Sequence, residues 1–371
     1  SAFHYFCTMK LYLIAGEASG DLHAGNLIKA IRAQQPNVHI RAWGGDHMAE
    51  AGAEVVKHYR DLAFMGFWEV LSNLRTIMHN LDFCKADILA FQPDVLVLID
   101  YPGFNLRIAQ WAKQQGIRVV YYISPQVWAW HQSRVKAIRR DVDHMLVILP
   151  FEEAFYAKHG MSVQFVGHPL LDAIGAADQW GGAGARTIAL LPGSRRQEVQ
   201  RILPVMAAVS AFFQEYQFVV AGTPTLPDEL YTSILRPYPN IQLVKGETYD
   251  VLRRSRAALV KSGTSTLETA LFGVPQVVCY AGNPLSYAIA RQVIKVNYIS
   301  LVNLILDQPL VQELIQTEFT PENTQKALQS ILQPTETNRI RQGYTELRHQ
   351  LGDGGASARA ALAVLSVEFR V

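Results

Sequence analysis

The stretch KLYLIAGEASGDLHAGNL, residues 10–27, runs from an apolar, β-prone segment through small and polar residues into helical spacing. Strand, short turn and helix form the repeating unit of a parallel sheet covered by helices. The turn GEASGD (16–21) is also the kind that receives phosphate oxygens at a helix start.

Moving outward, the same alternation recurs. Apolar runs lie at KLYLIA (10–15), VHIRAWG (38–44), EVVKHY (54–59), DVLVLID (94–100), IRVVYYIS (117–124), HMLVILP (144–150) and VQFVG (163–167), with helical-length segments between them. AIGAADQWGGAGAR (173–186), rich in Gly and Ala, breaks the pattern and reads as a linker. The alternation restarts with TIALLPG (187–193), QFVVAG (217–222), IQLVKG (241–246), AALVKSG (257–263) and PQVVCYA (275–281). After residue 305 the reading gives helices only. The expected fold is α/β: two facing Rossmann-like domains with mostly parallel sheets, ligands at the carboxyl ends of the strands, and a helical C-terminal segment. Residues 1–8 read as a ragged terminus, 9–172 as the first domain and 187–345 as the second.

Composition supports a globular chain. Of 371 residues, 49% are hydrophobic and 18% charged, which excludes disorder, and a net charge of +2 gives no reason to expect a nucleic-acid partner. Cys7, Cys84 and Cys279 are odd in number and lack CxxC spacing, against a disulfide framework or structural zinc and in favour of a reducing compartment. Five apolar residues between Lys10 and Gly16 are too few for a signal-peptide core. No apolar run approaches the roughly 18 residues of a membrane span. The 11 histidines form no HxH or HxxxH pair, so no metal and no cofactor is assigned. The frame Asp141-Val-Asp143 precedes a strand rather than following one, so turn residues are the better reading than a DxD metal site.

Two loops of the second half suit a diphosphate. LLPGSRRQE (190–198) passes through Gly193 and Ser194 to Arg195 and a helix. LVKSGTSTLETALFG (259–273) ends a strand at Ser262, Gly263, Thr264 and Ser265, with Glu268 one turn into the next helix. Arg195 can fork across a diphosphate, and Glu268 can accept two ribose hydroxyls. Plain turn-and-cap chemistry is the competing reading of each loop. Neither matches GxxxxGK[ST], and GxGxxG is absent.

In the first half, DVLVLIDYPGFN (94–105) ends a strand at Asp100, a general-base position, or else a turn aspartate. LAFMGFWEVLSNLRTIMHNL (62–81) carries Met65, Phe67, Trp68, Leu71, Leu74 and Met78 as an apolar helical face, either core-facing or dipping into a membrane surface. SPQVWAWHQSRVKAIRR (124–140) joins Trp128 and Trp130 to Arg134, Lys136, Arg139 and Arg140, which suits an anionic amphiphile or a solvated helix. With the diphosphate loops in the second half, Glu17, Ser19, Gly20, Asp21 and Asn105 fall to the acceptor side with Trp128 and Arg134. Ser19 or Asp21 as an N-cap is the alternative.

GEASGD (16–21), IDYPGFN (99–105), SPQVWAW (124–130), FVGHPLLD (165–172), LLPGSR (190–195), SGTSTLE (262–268) and SLVNLI (300–305) occur in an order that resembles bacterial lipid A disaccharide synthases from Met9 onward. The resemblance implies a GT-B glycosyltransferase, inverting and metal-independent. Its donor would be UDP-2,3-diacylglucosamine and its acceptor 2,3-diacylglucosamine 1-phosphate, joined β-1,6 with release of UDP. It further implies a cytoplasmic enzyme, peripheral on the inner membrane. By motif, Asp100 resembles the general base, while Arg195, Glu268 and Asn303 match donor-side residues. Gly103 stands where some members have Asp. FVGHPLLD is expected to be a hinge, with residues 346–371 returning to the first domain. A UDP-sugar 2-epimerase or hydrolase, or a non-catalytic nucleotide-sugar binder, are the alternatives on this scaffold.

Overall fold

The computed structural model describes residues 8–62, 74–130, 132–174, 186–283, 287 and 296–367. The chain divides into two compact units. One comprises Ser1–Gly175 with Leu351–Val371, and the other Ala176–Gln350.

In the first unit, strands β1 (Lys10–Ala15), β2 (His39–Gly44), β3 (Glu54–His58), β4 (Val95–Ile99), β5 (Arg118–Tyr122), β6 (His144–Val147) and β7 (Gln164–Phe165) form one sheet. Its order is β3-β2-β1-β4-β5-β6-β7, and every pairing is parallel. Buried side chains alternate between the two faces of the sheet. Leu11, Leu13 and Ala15 join one core while Tyr12 and Ile14 join the other. A fully buried Leu or Ile of this kind contributes about 1.5–3 kcal/mol.

The order reverses between β1 and β4, so their carboxyl ends bound a crevice. Ala15 pairs with Ile99 there, placing Gly16 and Asp100 side by side. The helix Ala18–Gln34 covers one face, burying Ala24, Leu27, Ile28 and Ile31 at helical spacing. The C-terminal helix Ala356–Leu365 adds Ala360, Ala361 and Val364 to that same core. Asp172 fixes its start by accepting the N–H groups of Gly355 (2.6 Å) and Ser357 (2.8 Å), and Arg359 Nε donates to the Val166 carbonyl (2.7 Å). FVGHPLLD is thus tied to residues 355–359 within the first unit.

The second unit repeats the plan with β8 (Thr187–Leu191), β9 (Gln217–Gly222), β10 (Ile241–Lys245), β11 (Ser255–Lys261), β12 (Gln276–Tyr280) and β13 (Glu313–Ile315). The order is β10-β9-β8-β11-β12-β13, again parallel, with its reversal between β8 and β11. The two loops read as diphosphate-binding follow these two strands.

Several expectations change. Strands do not stop at residue 305: β13 pairs with β12 through Val278 and Glu313. Three residues, ELI, are too short to show a period. The helix Pro334–Leu351 runs unbroken through residue 346. Ala18 already lies in a helix, so Ser19, Gly20 and Asp21 belong to it, and only Gly16 and Glu17 form the turn. Asp141 and Asp143 are not solvated turn residues. Asp141 is buried against Arg140 (2.6 Å), and Asp143 accepts the Val119 N–H (2.9 Å).

Candidate functional site

The crevice of the first unit is built around a strained strand end. Asp100 and Tyr101 both have positive φ, 46° and 50°. Left-handed backbone at two successive non-glycine residues costs on the order of 1–3 kcal/mol each. Several hydrogen bonds hold it. The Asp100 carbonyl accepts from Tyr121 Oη (2.6 Å) and Asn105 Nδ2 (2.8 Å), and the Asp100 N–H donates to the Tyr122 carbonyl (3.0 Å). The Tyr101 ring stacks on Phe104 (5.7 Å), which stacks on Trp43 (5.4 Å). Gly16 is required here, because a Cβ at that position would collide with the Tyr101 ring. The result is a half-buried Asp100 carboxyl at the sheet end with Glu17 beside it. Burial, with the neighbouring Glu17 charge, pushes the Asp100 carboxyl up to about 7, although the Tyr101 N–H favours its ionised form. A carboxylate tuned to neutral pH is suited to take a proton from a hydroxyl.

The other residues expected on the acceptor side divide. Glu17 is half-buried, and Ser19 and Arg134 are exposed. Asp21 is 1% exposed and spends its oxygens on the N–H groups of Gly45 (2.7 Å), His47 (3.1 Å) and Met48 (3.2 Å). It anchors the next helix, Asp46–Glu50, rather than a ligand. Asn105 is fully buried and donates to the carbonyls of Ile14, Ile99 and Asp100, clamping the ends of β1 and β4. Trp128 is buried edge-on against Phe151 (5.0 Å). Gly20 is buried beneath Ala15. Asn105 and Gly20 pack at the ends of β1 and β4, while Asp21 and Trp128 hold neighbouring segments; the sequence shows the residue types but not which way they turn.

Of the apolar helix, Met65, Phe67, Trp68 and Leu71 lie outside the described residues, as does the Leu74 side chain. The helix Leu74–Phe91 exposes Met78 (52%) and buries Leu81. Phe83 and Leu89 are also exposed.

In the second unit the loop after β8 places Gly193, Ser194 and an exposed Arg195 at the head of the helix Arg196–Val209. Gly193 has φ 105°, and a Cβ there would strike the Glu198 carboxylate. After β11 come Ser262, Gly263 and the helix Thr264–Leu271, with Thr264 exposed and Ser265 half-buried. Ser262 Oγ donates to the Ile299 carbonyl (2.9 Å). Glu268 is largely buried and accepts a hydrogen bond from Tyr249 Oη (3.1 Å); burial raises its carboxyl above the usual range. Tyr249 in turn packs on Phe272 (5.1 Å).

Asn303 does not present its amide to a ligand. It is 1% exposed, donating to the Val311 carbonyl (2.8 Å) and Glu313 Oε1 (3.0 Å) and accepting the Val311 N–H (3.0 Å). Glu313 also receives the N–H groups of Ile299 and Ser300. Asn303 therefore shapes the loop that meets Ser262. Among the described residues there is no group of three or more His, Cys, Asp or Glu placed to hold a metal ion.

Sequence reasoning missed Tyr101, Tyr121, Glu198, Tyr249, Lys261 and Glu313. Glu198 alone carried a signal: a carboxylate three residues into a helix start is half of a capping box.

Two parallel sheets with flanking helices, each with one reversal of strand order, are the architecture of the GT-B fold. Solved structures share this fold. One is the glycotransferase of kitacinnamycin (TM-score 0.64, 16% identity, 96% of this chain and 98% of that one). Another is a UDP-GlcNAc 2-epimerase from Neisseria meningitidis bound to UDP-GlcNAc (TM-score 0.65, 12% identity, 96% and 100%). The family model described as lipid-A-disaccharide synthetase matches residues 11–367. Lipid-A-disaccharide synthases of Syntrophus aciditrophicus and Trichlorobacter lovleyi are 42% and 40% identical, each over 96% of this chain and 97% of the relative. The chain belongs to the lipid-A-disaccharide synthase family and is a glycosyltransferase of lipid A biosynthesis.

Proposed function

We propose that this enzyme transfers the diacylglucosamine of UDP-2,3-diacylglucosamine to the 6-hydroxyl of 2,3-diacylglucosamine 1-phosphate. The product is a β-1,6 disaccharide 1-phosphate and the leaving group is UDP. The anomeric C–O bond to UDP breaks as the acceptor oxygen forms its bond from the opposite face, so the configuration inverts. Asp100 takes the acceptor proton. Arg195 and the loops at Gly193–Ser194 and Ser262–Ser265 stabilise the charge on the departing UDP, and Glu268 holds the ribose.

The observation that carries this reading is the Asp100 carboxyl, lifted to about 7 at a strained strand end beside Glu17. An ordinary turn aspartate, one competing reading, has no need of that environment. Glu17 supports Asp100 by keeping it basic. Exposed Met78, Phe83 and Leu89 on the helix Leu74–Phe91, and the exposed cations Arg134, Lys136 and Arg139, suit a protein that works at the surface of an anionic membrane. No helix among the described residues is long and apolar enough to cross a bilayer.

Incubating the protein with both acylated sugars, and separately with the donor alone, tests the proposal. Disaccharide formed only when both are present supports transfer. UDP released at the same rate without acceptor contradicts it and favours a hydrolase or epimerase.

A further inference from the structure

Glu198 and Lys261 have no part in the roles assigned above, yet they join the two loops of the second unit. Glu198 Oε2 accepts the N–H groups of Ser194 (3.2 Å) and Arg195 (3.3 Å). Its Oε1 pairs with Lys261 Nζ at 2.8 Å. Lys261 is the last residue of β11 and immediately precedes Ser262 and Gly263. Glu198 sits on the helix that follows β8. The side chains are only 18% and 23% exposed, so water screens the pair less than it screens a surface ion pair.

We propose that Lys261 is a further donor-binding residue: its ammonium is the counter-charge for the donor's diphosphate, and Glu198 holds its place in the unliganded protein. This rests on reading the two loops as the donor site. A carboxylate and a phosphate oxygen are both anionic acceptors and compete for the same donors. Glu198 occupies two backbone N–H groups and one ammonium, all at the loops assigned to the diphosphate. A lysine is suited to the exchange, because its ammonium is a compact charge on a flexible stem with three donors. It can turn from Glu198 to a phosphate without losing a charged partner. Without Lys261, the Glu198 charge would stand against the diphosphate uncompensated. The two side chains therefore act on donor affinity with opposite signs, which a purely structural strut would not do.

The test is calorimetric titration of the full chain with UDP, and with uridine as the phosphate-free control. Lys261→Met is expected to weaken UDP by about 10- to 100-fold, the usual cost of losing a hydrogen bond to a charged group. Uridine binding should be unchanged. Glu198→Gln is expected to bind UDP at least as tightly as the unmodified protein, and the double variant to fall between the two single ones. Lys261→Arg should restore part of the loss. If Lys261→Met lowers the melting temperature, Lys261→Gln provides a second comparison at matched stability. UDP binding unchanged in both lysine variants, or equal losses for UDP and uridine, would overturn the proposal while leaving the donor site intact. Weaker UDP binding in Glu198→Gln would overturn the exchange. An unmodified protein that binds no UDP would overturn both the proposal and the donor-site reading beneath it.

Discussion

Replacing Asp100 by Asn separates the cost of this carboxylate from its use. Asn keeps the shape and tolerates the left-handed backbone (φ 46°) that Asp100 adopts. In the folded protein burial pushes the carboxyl up to about 7, from an ordinary value of 3.8. Between those values the folded state holds a proton that the unfolded chain has released. Stability therefore falls as pH rises from about 4 to about 7, and levels off above 7. At about 1.4 kcal/mol per pH unit, the ionised carboxylate costs roughly 4 kcal/mol in total. About 3 kcal/mol of that is lost between pH 5 and pH 8. Asp100→Asn removes this dependence, so its stability advantage over the unmodified protein should widen by about 3 kcal/mol across that range. Urea unfolding followed by near-ultraviolet circular dichroism at pH 5, 6, 7 and 8 measures it. The same variant should lose at least about 100-fold in turnover if Asp100 is the base. A stability difference that stays constant with pH would refute the raised carboxyl. Near-normal turnover would refute its catalytic role.

Glu17→Gln removes the charge that helps to raise Asp100. The acid limb of its kcat/KM profile should move to lower pH while burial keeps it above the ordinary carboxylate range; an unmoved limb would disconnect the two carboxylates. Arg195→Ala should raise the donor KM by about 10- to 100-fold and leave the acceptor KM unchanged, and steady-state kinetics varying each substrate would detect the contrary. Met78→Glu combined with Leu89→Glu removes two half-exposed apolar side chains (52% and 49%). Binding to anionic vesicles should fall by about 10-fold or more at an unchanged melting temperature. Equal vesicle binding would place the membrane contact elsewhere.

The parallel sheets were legible because their strands are buried on both faces. VLVLI at 95–99 and ALV at 258–260 can hardly be anything else. β13 was not, because its three residues gain their identity from pairing with β12 rather than from their own pattern. The site was partly legible for a related reason. Small residues and a carboxylate at a strand end announce themselves, so Asp100, Gly193 and Gly263 could be placed from spacing. The direction of a polar side chain is set by partners distant in sequence. Asp21 turns inward because three N–H groups near residues 45–48 await it, and Asn303 because Val311 and Glu313 do. Tyr121 reaches the Asp100 carbonyl only after β4 and β5 lie side by side. Lys261 meets Glu198 only because β8 and β11 are neighbours, although they are far apart along the chain.

Inverting transfer with Asp100 as base leaves a stereochemical signature in the product. Nuclear magnetic resonance of the product formed from α-linked UDP-2,3-diacylglucosamine and 2,3-diacylglucosamine 1-phosphate tests it most directly. A single β-configured 1,6 linkage is expected, formed at least about 100-fold more slowly by Asp100→Asn. An α-linked product, or a β-linked one formed equally fast by that variant, would contradict it.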